Sequence, residues 1–75
     1  MKTSWEAIEG DMRHYVDIHA REVVIGASGR SAYSDNATSV TLAEFLAGAY
    51  HDEVLRHFGK VALDEMLAAA RAGGA

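Results

Sequence analysis

A helix start is written into Thr38-Ser39-Val40-Thr41-Leu42-Ala43-Glu44-Phe45. The Thr41 hydroxyl can accept from the Glu44 backbone N–H while the Glu44 carboxylate accepts from the Thr41 N–H, and Val40 is placed to staple onto Phe45. The C-terminal half therefore turns helical just after Thr41, and everything before that point has to fold against this helical segment. A chain of 75 residues is one domain at most and buries only about 60% of the surface its unfolded form exposes. With 49% hydrophobic and 24% charged residues it has the composition of a folded globular protein.

Upstream, Thr3 and Glu6 repeat the capping-box pattern. Trp5, Ile8, Met12, Tyr15, Val16 and His19 fall on one arc of a wheel advancing about 100° per residue. Glu9 with Arg13 and Asp17 with Arg21 are acid-before-base pairs at i,i+4, each worth about 0.2–0.5 kcal/mol in a helix. The pattern predicts a helix over 3–21, with Gly10 a weak point on its polar side costing about 1 kcal/mol relative to alanine. From Glu22 the pattern changes. Glu22-Val23-Val24-Ile25 is β-branched, Gly26-Ala27-Ser28-Gly29-Arg30 is turn-like and Ser31-Ala32-Tyr33-Ser34 can return, so 22–34 reads as a two-stranded hairpin. Asp35-Asn36-Ala37 reads as a turn into the helix start.

In the C-terminal half, Leu42, Phe45, Leu46 and Ala49 share one face, but Tyr50, Val54 and Phe58 lie about a third of a turn away. Either 41–58 is one helix that rotates its contacts between neighbours, or it breaks near His51-Asp52, where Asp52 can cap a new start. Gly59 predicts a further break. A last helix over 60–72 presents Leu63, Met66, Leu67 and Ala70 on one side. The expected fold is thus α+β and mostly helical: an N-terminal helix, a short β-hairpin, then two or three C-terminal helices, within a single small domain spanning 1–75.

Eleven acidic residues against seven scattered basic ones give a net charge of −4. Phosphate-backbone binding draws on clustered Lys and Arg, so direct nucleic-acid binding is disfavoured. The acidity suits association with a basic protein surface, or solubility alone. The chain has no cysteine, which removes disulfides, thiolate ligands and a cysteine nucleophile. No segment approaches the roughly 18 apolar residues of a membrane span and the N-terminus lacks a signal-peptide core, so no membrane association and a cytoplasmic location are expected.

Val23-Val24-Ile25-Gly26-Ala27-Ser28-Gly29-Arg30-Ser31-Ala32 resembles the Gly-x-x-Gly-x-x-Ala phosphate-binding turn of extended short-chain dehydrogenases, which implies a pyrophosphate held by backbone N–H groups. The helix that turn requires is missing after it, and the chain is too short for a doubly wound sheet. The same residues resemble the Val-Ile-Gly-x-x-Gly core of KH domains, which implies a clamp on a nucleic-acid backbone. That family needs two more strands where Thr41 to Arg71 reads as helix. The order helix, hairpin, Ala37-Thr38-Ser39-Val40, helix over Trp5 to Tyr50 resembles phage head–tail joining proteins, which implies a virion assembly joint. This chain adds a C-terminal helix and lacks that family's basic character.

The histidines His14, His19, His51 and His57 are not at the i,i+3 or i,i+4 spacing of a helical metal site. Asp11 with His14, and Glu53 with His57, read as surface ion pairs, and His19 as a core or interface histidine within the first helix's apolar arc. No metal ligand set, cofactor or catalytic residue is assigned. The hydroxyls of Ser28, Ser31, Tyr33 and Ser34 with Asp35 form no nucleophile–base arrangement. A His/Asp metal site assembled between helices stays as an alternative.

There is, finally, an excess of large apolar residues: Trp5, Met12, Tyr15, Phe45, Tyr50, Val54, Leu55, Phe58, Val61, Met66 and Leu67 exceed what three short helices and a hairpin can shelter. Exposed aromatic and methionine side chains are enriched in interface cores. The expected function is a non-enzymatic, acidic protein–protein interaction module. The favoured form is a small inhibitor or adaptor of the phage anti-defence, anti-CRISPR type, acting on a larger protein or ribonucleoprotein complex. Alternatives are virion assembly, a dimeric antitoxin or regulator, and homodimerisation. The contact residues expected are His19, Tyr33, Tyr50, Asp52, Glu53 and Phe58.

Overall fold

The computed structural model describes residues 2–29 and 35–73. Four strands, β1 (Ser4–Glu9), β2 (Met12–Ile18), β3 (Glu22–Gly29) and β4 (Asp35–Thr41), precede three helices, α1 (Leu42–Leu46), α2 (His51–Phe58) and α3 (Lys60–Arg71). The strands form one antiparallel meander in the order β1-β2-β3-β4. The architecture is α+β, with a four-stranded sheet in place of the N-terminal helix that the apolar spacing predicts.

The segment 3–21, predicted as helix, is a β-hairpin. Glu9 pairs with Met12 across a two-residue turn, Gly10-Asp11. Gly10 has φ +60, whereas Asp11 is not among the positive-φ residues, which is the pattern of a type II′ turn with glycine in its first central position. The residue that reads as a weak point in a helix is what closes the hairpin. Arg13 pairs with Glu6 on the neighbouring strand rather than with Glu9. The hairpin expected over 22–34 also changes. β3 pairs on both sides, with β2 and with β4, and Asp35-Asn36-Ala37 is strand rather than turn. Ser31-Ala32-Tyr33-Ser34 lies outside the described residues.

The strand register divides side chains between two faces. Trp5, Val16, Ile25 and Thr38 form one cross-strand row, and Ile18, Val23 and Val40 another on the same side. This side carries the helices. Trp5, Val16, Ile18, Val23 and Ile25 pack with Phe45, Val54, Leu63, Met66, Ala69 and Ala70 into one core. The Trp5 indole N–H donates to Glu65 at 3.0 Å, tying β1 to α3.

The helical half follows its capping chemistry. Thr41 accepts from Glu44 N–H at 3.0 Å and donates its own N–H to the Glu44 carboxylate at 2.8 Å, and Phe45 is fully buried one residue later. α1 is short. The chain turns through 47–50, with Tyr50 in the left-handed region at φ 62, and α2 leaves in a new direction. Those two directions account for the drift of the apolar stripe across 41–58. Asp52 lies in the first turn of α2 and does not cap it, since Tyr50 holds the N-cap position. Gly59, at φ 87, separates α2 from α3.

The other face of the sheet carries Glu6, Ile8, Arg13, Tyr15, Asp17 and Val24. Tyr15 pairs directly with Gly26 and lies across it: a Cβ at Gly26 would fall among the Tyr15 ring atoms. Arg13 lies over the ring at 4.8 Å, and Tyr15 is 8% exposed although it stands on the face opposite α1, α2 and α3.

Candidate functional site: a cleft between the sheet and α2

α2 crosses the sheet at the end that holds the β1–β2 turn. Between them lies a cleft of about 380 Å³, within the size range of small-ligand and side-chain pockets. Ile25, Gly26 and Ala27 of β3 and Asn36, Ala37 and Thr38 of β4 form one wall. Tyr50, Glu53, Val54, His57 and Phe58 form the other, and His14 of β2 closes one end. Val54 is fully buried and Phe58 packs against the core, so α2 is held firmly while Tyr50 and Glu53 point to the open side. Glu53 is the lining carboxylate, and the described lining contains no Lys or Arg.

At the His14 end, three chemically active side chains meet from three elements. His57 Nδ1 lies 2.7 Å from Glu9 Oε1, and because an ionised carboxylate only accepts, Nδ1 carries the proton. The His57 ring stacks on His14 with centroids 3.7 Å apart and planes inclined by 12°. The donor atoms of Glu9, His14 and His57 all lie within 4.8 Å of one another. The His57 hydrogen bond lowers the Glu9 pKa below the ordinary carboxylate value, and the nearby His57 and His14 charges act in the same direction.

Strand register makes this meeting possible. His14 pairs with Ala7 and Glu9 with Met12, so Glu9 and His14 are diagonal neighbours on the helix-bearing face. Both ion pairs expected here are replaced: His14 stacks on His57 rather than pairing with Asp11, and His57 bonds Glu9 rather than Glu53. The signal that could have found the cluster is the Gly10-Asp11 hairpin turn, which folds Glu9 back toward His14.

Of the contact residues expected from sequence, Tyr50, Glu53 and Phe58 line the one cleft. Asp52 is exposed on α2 and is not part of the lining. His19 is not in an apolar arc. It is exposed in the β2–β3 turn, at the opposite end of the sheet from Glu9, with its backbone N–H donating to Glu22 at 2.8 Å. Tyr33 lies outside the described residues. His51 donates from Nε2 to the Phe45 carbonyl at 2.6 Å, which is a structural use.

The large apolar residues, too numerous for the predicted fold to shelter, divide in the observed one. Trp5, Tyr15, Phe45, Val54 and Met66 are buried, whereas Met12, Tyr50, Leu55 and Val61 are exposed, Val61 to 76%. None of the three helices is long and apolar enough to cross a membrane. In comparison with known proteins, no family model matches the chain, no curated protein is significantly similar in sequence, and no solved structure matches the fold.

Proposed function

We propose that this protein is a non-catalytic recognition domain that binds an extended basic segment of a larger protein along the cleft between β4 and α2. The observation that carries the reading is the cleft's lining: two aromatic rings, Tyr50 and Phe58, beside the Glu53 carboxylate, with no Lys or Arg among the described lining residues and the two histidines gathered at one end. An arginine or lysine side chain satisfies such a lining. Its charge meets Glu53 and its stem or guanidinium plane lies against the rings.

Two features support a strand-like partner. β4 pairs only with β3, so among the described residues its outer edge carries no strand, and Asn36, Ala37, Thr38 and Ser39 along it are exposed. A peptide added to that edge makes main-chain hydrogen bonds while alternate side chains enter the neighbouring pocket. The net charge of −4 steers basic partners toward the domain and repels nucleic acid. An inhibitor or adaptor that occupies a basic surface of a larger protein or ribonucleoprotein complex is the role this surface suits.

Selection from a random peptide display library on the wild-type chain, with counter-selection on a folded Glu53→Lys variant, tests the reading. The expected outcome is enrichment of Arg- or Lys-containing extended sequences that lose binding to Glu53→Lys and to Tyr50→Ala. Selected peptides without basic residues, or peptides that bind the variants equally well, would overturn it.

A further inference from the structure

The Glu9, His14 and His57 cluster lies at one end of the cleft, where His14 and His57 join the lining, but it uses neither Tyr50 and Glu53 nor the edge of β4 on which peptide recognition rests. We propose that it is a binding site for a divalent transition-metal ion of the zinc class, coordinated by the Glu9 carboxylate and one imidazole nitrogen each from His14 and His57.

The donor set is chemically suited. Two imidazoles and a carboxylate are ligands of borderline character that favour Zn²⁺, Ni²⁺ or Cu²⁺ over Mg²⁺ or Ca²⁺. Three protein ligands also leave at least one coordination position for water or for a donor from a bound partner. That position adjoins the cleft, because His14 and His57 line it as well.

The geometry is close to what coordination requires. Around zinc, with bonds of about 2.0–2.1 Å in a tetrahedral arrangement, neighbouring donor atoms sit about 3.3 Å apart. Here the three donors fall within 4.8 Å of one another, and Glu9 with His57 are already at 2.7 Å. Closing the remainder takes a shift of about 1.5 Å in donor position and rotation of the His14 and His57 rings out of their near-parallel stack, because each imidazole lone pair lies in its own ring plane. The sites leave room for this, since Glu9 is exposed and His14 and His57 are only partly buried. The backbone need not move. Glu9 and His14 stand on paired strands, and α2 is anchored by Val54.

A surface ion pair does not explain the third member. Glu9 and His57 alone would complete a carboxylate–imidazole hydrogen bond, yet His14 is stacked on His57 at 3.7 Å with a ring nitrogen near the same carboxylate. Binding would replace the Nδ1 proton of His57 or recruit its other nitrogen after a ring flip, and would join β1, β2 and α2 through one ion.

The test uses the full-length chain without an affinity tag, stripped with a chelator and titrated with ZnCl₂ in a calorimeter. The expected result is saturable 1:1 binding with a Kd on the order of 10 μM or tighter. His14→Gln and His57→Gln each weaken binding about ten- to a hundredfold, Glu9→Gln weakens it less, and His19→Gln leaves it unchanged. Long-range ¹H–¹⁵N spectra of the wild-type imidazoles give a readout that does not depend on the variants folding. On zinc addition the His14 and His57 nitrogens shift, while those of His19 and His51 do not. Absence of saturable binding up to about 1 mM zinc would overturn the proposal. So would shifts confined to His19 or His51, or unchanged affinity in folded His14→Gln and His57→Gln variants. The Glu53→Lys substitution is expected to abolish peptide capture and spare zinc, so failure of one site is distinguishable from failure of the other.

Discussion

Gly26 forms part of the cleft wall with its backbone and supports Tyr15 on the opposite side of the sheet. Gly26→Ala therefore tests whether one ring closes the face that no helix covers. An ideal Cβ would stand 2.7 Å from Tyr15 Cε2, with Cζ and the hydroxyl oxygen closer still. β2 and β3 are hydrogen-bonded along their length, so the ring has to yield rather than the backbone. Forcing a methyl into a packed site costs about 1–3 kcal/mol. Because φ at Gly26 is not in the left-handed region, alanine otherwise gains about 0.5–1 kcal/mol over glycine in a strand. The net expectation is a loss of about 0–2.5 kcal/mol. In a Tyr15→Val background the clash is gone and only the gain remains, so the same substitution should stabilise. The double-mutant coupling is then about 1–3 kcal/mol. Urea unfolding followed by the fluorescence of Trp5, the only tryptophan, measures it. Gly26→Ala destabilising both backgrounds by the same amount, with coupling under about 0.5 kcal/mol, would refute the role assigned to Tyr15.

Thr41→Ala removes one half of the capping box and is expected to cost about 0.5–2 kcal/mol, read as a lower thermal midpoint; no change would mean that α1 is held by Phe45 alone. Tyr50→Gly relieves a left-handed residue at φ 62, a conformation costing an L-residue roughly 1–2 kcal/mol. Stability should hold or rise while capture of basic peptides is lost, and a loss of more than about 2 kcal/mol would mark the ring as a core group instead. The Glu9 pKa is lowered in the folded state by its bond to His57. The stabilisation it brings is therefore present above the unfolded value of about 4.3 and lost as pH falls through the folded value. In His57→Gln the Glu9 carboxyl, followed by ¹³C NMR, should titrate at higher pH, and an unmoved midpoint would contradict the assigned cause.

The N-terminal hairpin is hidden in the sequence by its own second face. Half-buried strands announce themselves by alternation, but β2 carries Tyr15 and Val16 side by side, one buried over Gly26 and the other in the core. Adjacent apolar residues with Trp5, Ile8 and Met12 at intervals of three and four imitate a helical arc. Ile8 completes the imitation while remaining 63% exposed on the uncovered face. Glu9 and Arg13 imitate an i,i+4 pair, although Arg13 reaches Glu6 across the hairpin. The discriminating local signal is Gly10-Asp11, a two-residue hairpin turn with mechanism behind it. By contrast the Thr41–Glu44 capping box is readable, because both partners lie within one turn and the chemistry is local.

The candidate site divides along the same line. Tyr50, Glu53 and Phe58 can be chosen from sequence because they sit on or beside a single helix, where spacing alone decides which side chains share a face. His14 and His57 are separated by the whole of β3, β4 and α1, and no periodicity relates them. Their meeting depends on the direction in which α2 crosses the sheet, which follows from the turn through 47–50, where Gly48 at φ 120 and Tyr50 at φ 62 both take positive φ. Tyr50 thus contributes twice: its ring lines the cleft, and as the N-cap of α2 it belongs to the turn that leads into the helix carrying His57 over Glu9 and His14. Because both effects depend on one turn, a substitution that redirected α2 would disturb the cleft and the His14–His57 stack together. Tyr50→Gly, which accepts the same φ, should remove the ring alone and leave the stack in place.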